Sequence, residues 1–190
     1  PMIHDWALTL AGRPNTEHSR LAWAVIIGTI PLGIGGLLMK VAVGGELRSP
    51  LIIAATTIGF GLLLGWADYI GRRQRDEHSL SWKDALLIGG AQILALIPGT
   101  SRSGITMTTA LLLGLTRTAA ARFSFLLSIP AIIMPGMLLG ADLIDSPEPV
   151  HWRSFIIGMS LSALFAYLCI RLFLTFIQRT GMMVFVVYRL

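Results

Sequence analysis

The chain has little sulfur chemistry and little charge. Its single cysteine, Cys169, lies in an apolar run, which excludes an internal disulfide and a cysteine-built metal cluster and leaves the redox compartment open. Only 13% of the residues are charged and ten are acidic, too few for an ordinary soluble domain. None of the glutamates, Glu17, Glu46, Glu77 and Glu148, falls in an apolar run, and His4, His18, His78 and His151 stand outside them too. All eight are expected in loops, with the histidines as solvated surface residues rather than catalysts. The formal net charge of +5 comes from basic residues near the ends of apolar runs. No soluble basic domain is there to hold a groove, so no nucleic-acid partner is expected.

What the chain does have is hydrocarbon. More than half of it is apolar (54%), and the mean hydropathy is +0.73. This composition predicts an all-α polytopic membrane protein, with residues 1–190 forming a single membrane domain. Four runs, 21–43, 51–71, 123–141 and 155–176, approach or exceed the roughly 20 residues that cross about 30 Å of hydrocarbon.

The region 85–115 is apolar too, but Pro98-Gly99-Thr100-Ser101-Arg102-Ser103-Gly104 interrupts it, and neither arm is long enough to cross alone. It is either one kinked crossing or a re-entrant hairpin whose irregular tip is buried in protein or lines a cavity. Charge placement arbitrates, because cytoplasmic loops near helix ends are rich in Lys and Arg. Arg72, Arg73, Arg75 and Lys83 precede the region, and Arg117 and Arg122 follow it. Both its ends therefore belong inside, which favours the hairpin. By the same rule Arg13, Arg20 and Arg179 lie inside, while the link 44–49 and the acidic loop of Asp142, Asp145 and Glu148 lie outside.

The chain starts at Pro1 without an initiator methionine or a signal peptide, and Met182 to Leu190 is too short to cross. Both ends read as cut. The expectation is part of a larger protein, with 1–20 as a cytoplasmic loop and 182–190 as the start of a truncated last helix.

An arginine at membrane depth costs about 3 kcal/mol on insertion scales, which makes Arg102 a functional-site hypothesis by default. The second arm would aim unpaired N–H groups and a positive dipole end at the tip. Arg102 adds a planar fork of donors suited to phosphate oxygens, and Thr100, Ser101 and Ser103 add hydroxyls. The first arm's carbonyls oppose this field. Two plainer readings stay open: Ser101 or Ser103 as a helix cap, and Arg102 as the structural partner of an unseen carboxylate.

The run Gln92-Ile93-Leu94-Ala95-Leu96-Ile97-Pro98-Gly99-Thr100-Ser101-Arg102-Ser103-Gly104-Ile105-Thr106 resembles the C-terminal signature of the bacterial undecaprenyl-diphosphate phosphatases, the bacitracin-resistance family. The likeness continues through Ala121-Arg122-Phe123-Ser124-Phe125-Leu126-Leu127-Ser128-Ile129-Pro130 and reaches Tyr188-Arg189. It implies a multi-pass enzyme of the bacterial plasma membrane that removes the terminal phosphate of a C55 isoprenoid diphosphate, recycling the lipid carrier for cell-wall synthesis. It also implies half of an inverted-repeat architecture, with the active site facing the outer side. By resemblance Arg102, Ser101 and Ser103 would be catalytic, and Gln92, Gly99, Thr100, Gly104 and Thr106 would bind substrate.

The family's first repeat carries a glutamate-rich segment and a Ser-Ser-Thr-Gly-His run, and nothing in this chain matches them. The resemblance implies a divalent metal, Mg2+ or Ca2+, whose ligands are expected outside this chain. The 190 residues alone are therefore expected to be inactive. The implied partners are the polyprenyl diphosphate, membrane lipids and the missing N-terminal repeat; homodimerisation is left open. A transporter or flippase of a phosphorylated polyprenyl lipid is the competing reading, since broken helices in inverted repeats are a transporter feature.

The remaining features read as structural. Pro31 with Gly33, Gly35 and Gly36 allows a kink and close helix approach, and Pro130 and Pro135 are expected to bend their helix. Asp68 is expected to snorkel to the interface or pair with an arginine. The five tryptophans fall mostly near predicted interfaces, as an aromatic belt should.

Overall fold

The computed structural model describes residues 2–10, 14, 16–42, 49–144 and 151–189. The expected outer link and the acidic pair Asp145 and Glu148 lie outside the described residues, as do Arg13 and Glu46.

The described chain is helical, with no strand and a single isolated bridge between Arg75 and Leu115. The helices are α1 (Met2–Leu10), α2 (Glu17–Ala42), α3 (Pro50–Ile70), α4 (Trp82–Ala91), α5 (Arg102–Leu112), α6 (Arg117–Ile144), α7 (Trp152–Thr180) and α8 (Met183–Arg189). Four of them, α2, α3, α6 and α7, are long and apolar enough to cross a membrane. Proline is tolerated inside such helices, and α6 continues through both Pro130 and Pro135.

The N-terminal stretch differs from its sequence reading. His4 lies in α1, and α2 begins early enough to include Glu17 and His18. The reason is local: the Thr16 and Ser19 side chains each accept the other's backbone N–H, at 3.2 and 2.9 Å, a reciprocal cap that starts the helix before its apolar run. Trp6 meets Trp23 edge-on at 6.1 Å and seats α1 against α2. Glu77 and His78 form a short 3-10 turn with Asp76 capping it.

The interrupted region is a helix-break-helix hairpin. Arg75 ties its two ends together: its N–H donates to the Gly114 carbonyl at 3.1 Å, its Nη1 to Leu113 O at 3.1 Å, and its Nη2 to Asp84 Oδ2 at 2.6 Å. A capping box between Ser81 and Asp84 starts α4. After Ala91 the chain tightens into a 3-10 segment, Gln92–Leu96, and Ile97 is extended. The first arm thus thins out before Pro98 rather than stopping at it.

The hairpin lies along α3. A Cβ on Gly71 would stand 3.0 Å from the Leu111 carbonyl oxygen near the base. At the tip, Thr56 Oγ1 donates to Pro98 O at 2.6 Å and Thr57 Oγ1 to Gly99 O at 3.2 Å. The rise from Gly71 to Thr56 is about 22 Å of helix, so base and tip are well separated. On its other side α4 crosses α2 so closely that a Cβ on Gly89 would collide with the Gly28 carbonyl.

The core runs between α3, α5 and α6 through Leu64, Ala67, Ala110, Leu111, Phe123 and Leu127, all buried. The outward faces of α2, α6 and α7 are exposed and apolar. Such a surface fits lipid, not water.

Asp68 takes the second of its two expected states. It is 2% exposed and holds Arg117 through two bonds, from Nε at 2.6 Å and Nη2 at 2.9 Å. With Arg75–Asp84 and Arg122–Glu77, this pair gathers the basic residues around the hairpin's base.

Candidate functional site at the hairpin tip

Backbone geometry shapes the tip. Gly99 has φ +90°, and a Cβ there would collide with Thr56 Oγ1 and the Ile53 carbonyl, so only glycine fits. Ser101, a residue with a side chain, is held at φ +62°, the kind of strained backbone that concentrates at functional sites.

Ser101 caps α5, its Oγ accepting the Gly104 N–H at 3.3 Å, as the plainer reading allowed. The Ile105 N–H goes to Ser101 O at 3.0 Å. Of the first-turn amides, Arg102 and Ser103 are left with no acceptor inside the helix. Arg102 is half-buried, and no hydrogen bond or ion pair holds its side chain among the described residues. Its expected alternative, a structural carboxylate partner, is not found among them.

The carbonyls at the break itself have donors. Thr56 and Thr57 take Pro98 O and Gly99 O, and a residue distant in sequence adds to them. Arg189 Nη2 donates to Gly99 O at 2.9 Å and to Thr100 O at 3.1 Å. Its Nη1 is buried without a hydrogen-bond partner beside Gly104, where a Cβ would stand 2.8 Å from it. Donors thus meet the Pro98, Gly99 and Thr100 carbonyls, and a second guanidinium joins the tip. Sequence reasoning did not assign Arg189 to the site; its signal was a lone arginine within the otherwise apolar run from Met182.

Ser101, Ser103, Gly104 and Arg189 form the polar end of a cavity of about 460 Å³, and its walls include Leu64, Met107, Phe125, Phe173 and Phe185. A pocket of this size, apolar with a few convergent polar groups, is typical of ligand sites.

The other residues chosen from sequence, Arg102 and Gly99 among them, stand off this lining. Thr106 is 1% exposed, and its hydroxyl is shared with Ser124 Oγ at 2.6 Å and with the Arg102 and Ser103 carbonyls at 3.0 and 3.1 Å. Gln92 is fully buried and donates to Gly28 O at 3.3 Å, where it ties the first arm to α2. Thr100 is buried with an unpaired hydroxyl.

The tip can bind and neutralise an oxyanion, since it offers guanidinium and amide donors and no described carboxylate. It has no histidine or carboxylate for proton transfer among the described residues. Among the described residues no three His, Cys, Asp or Glu side chains gather to hold a metal ion, so the described residues do not by themselves fit the divalent cation, whose ligands the resemblance places outside this chain.

A family model described as bacitracin resistance protein BacA matches residues 1–190. The chain is 59% identical over 192 residues to undecaprenyl-diphosphatase 2 of Stutzerimonas stutzeri (strain A1501), covering all of this chain and 71% of that protein. It is 54% identical over 189 residues to the undecaprenyl-diphosphatase of Nitrosococcus oceani, and 53% identical over 189 residues to that of Chromohalobacter salexigens; each alignment again covers all of this chain and 71% of the relative.

Proposed function

Because the chain belongs to the BacA bacitracin-resistance family, we propose that it is a membrane phosphatase that hydrolyses undecaprenyl diphosphate to undecaprenyl phosphate and phosphate, recycling the lipid carrier for cell-wall synthesis. One observation carries the site assignment: Arg189, without a carboxylate partner among the described residues, joins Ser101, Ser103 and Gly104 at the polar end of an apolar cavity, and Arg102, equally unpaired among them, stands in sequence between the two serines. A diphosphate on an isoprenoid chain matches both ends of that cavity.

The residues then divide the work. Arg102 grips the terminal phosphate as a bidentate fork. Arg189 Nη1 and the first-turn amides of α5 neutralise charge as it shifts onto the leaving oxygens, which is most of what phosphoryl transfer asks of a protein. Ser101 and Ser103 donate to phosphate oxygens, and the Phe125, Phe173 and Phe185 walls hold the adjoining hydrocarbon away from water. The described residues offer no ligand set for a metal.

The basic residues at the hairpin base favour a cytoplasmic base. The tip then rises about 22 Å as a re-entrant hairpin and opens toward the outer side of the plasma membrane. Phosphate release from a polyprenyl diphosphate by detergent-solubilised full-length protein, with no second compartment present, tests the enzyme. Saturable binding without turnover would replace it with a carrier of phosphorylated lipid.

A further inference from the structure

We infer that Asp68, about 18 Å of helix from Thr56 at the tip, is a positioning residue that sets the register of α8 and so places Arg189. The inference rests on the proposed role of Arg189.

Asp68 serves more elements than an ion pair needs. Besides holding Arg117 of α6, its Oδ2 accepts the Met182 N–H at 3.2 Å, at the break where α7 ends and α8 begins. Arg73, held at φ +52°, stands 3.5 Å from its Oδ1 and donates to its backbone carbonyl. The break is clamped from the other side as well: Gly181 has φ +75°, and a Cβ there would stand 2.8 Å from the Arg117 guanidinium carbon.

From this anchor α8 lies along α3 in matched steps. Met182 is bonded to Asp68, Val186 packs where a Cβ on Gly65 would stand 3.3 Å away, and the Arg189 Cβ would stand 3.6 Å from one on Gly61. Seven positions of one helix thus run against seven of the other. A slip of one residue would shift α8 by about 1.5 Å and rotate it by about 100°. Arg189 would then leave the Gly99 and Thr100 carbonyls. Side-chain packing alone resists such a slip weakly, because the track on α3 is two glycines. The bond from Asp68 to a main-chain N–H fixes it at one position.

A double-mutant cycle in the full-length protein tests this. The kcat/KM for phosphate release from a polyprenyl diphosphate is measured for wild type, Asp68→Asn, Arg189→Ala and the double variant. Asp68→Asn is expected to lower kcat/KM by about 10- to 100-fold, as small misplacements of catalytic geometry do, but by less than about twofold when Arg189 is already alanine. Equal losses in both backgrounds would overturn the positioning role and leave Arg189 in place; a harmless Arg189→Ala would overturn both.

Because Asp68→Asn strips the half-buried Arg117 of its counter-ion, it risks misfolding. Gly181→Ala keeps both charges of the pair while its Cβ presses on the Arg117 guanidinium at the same break, and it is run through the same cycle. It too is expected to lose most of its effect without Arg189, whereas equal losses would again overturn the inference.

Discussion

Arg189 donates to the Gly99 carbonyl at 2.9 Å across 90 positions of sequence. That bond turns the worst electrostatic feature of the tip, carbonyl ends facing an intended anion, into a support for a second cation. Placing a guanidinium against both Gly99 O and Thr100 O also leaves its other nitrogen free for a ligand oxygen.

Arg189→Lys follows from this geometry. An ammonium is a point charge without the fork, so it cannot hold two carbonyls in place and face the ligand with a separate fixed donor. The expected result is a loss of kcat/KM of about 10- to 100-fold in the full-length protein, in the range seen on removing one oxyanion donor or slightly less. Membrane insertion should be retained. Turnover within about twofold of wild type would reduce Arg189 to a strut.

Arg102→Lys separates charge from shape at the other guanidinium. No carboxylate competes for Arg102 among the described residues, so the substitution breaks no described ion pair and the thermal midpoint in detergent should barely move. Turnover should fall about 100-fold or more, since bidentate phosphate geometry is lost. A fall in the thermal midpoint with unchanged turnover would assign Arg102 to structure.

Much of the frame is legible in the sequence because membrane helices are written as long apolar runs and the hairpin's base as clustered arginines. The tip is legible for the opposite reason: Arg102 is chemically out of place among its neighbours. What escaped was everything set by contact between distant positions. Asp68 reads as one acid at the end of an apolar run, and nothing local says that Arg117 and Met182 both come to it. Arg189 reads as one basic residue in the start of a truncated helix, and nothing local says that it comes to Gly99 and Thr100. The tightening of 92–96 was hidden because a segment apolar on every side has no periodicity to break. Thr106 matched a motif, but a motif does not tell which way a helical side chain turns.

Thr106→Val tests that last point. The hydroxyl is buried and bonded to Ser124 at 2.6 Å, joining α5 to α6. Its removal leaves Ser124 with only a 3.5 Å contact to Ser103 O, an unsatisfied buried group worth about 1–3 kcal/mol. The thermal midpoint should fall while KM stays within about twofold. A large rise in KM with an unchanged midpoint would return Thr106 to the substrate.

Asp84 supplies a pH signature at the hairpin's base. Burial pushes its carboxyl up, but the Arg75 bond, the Ser81 N–H and hydroxyl and the Arg75 charge together outweigh burial and hold it below its usual range. A carboxyl whose folded pKa lies below its unfolded value of about 3.9 contributes stability that is fully present above that value and is lost as pH falls through the folded pKa. Asp84→Asn should therefore cost about 1–2 kcal/mol at pH 7, and the cost should shrink once the pH drops below about 4. Thermal midpoints of the two proteins in detergent, measured from pH 7 down to about pH 3, should converge. A gap that stays constant over that range would mean that Asp84 supports the capping box by shape alone, with its charge and the Arg75 bond contributing nothing to holding the two ends of the hairpin together.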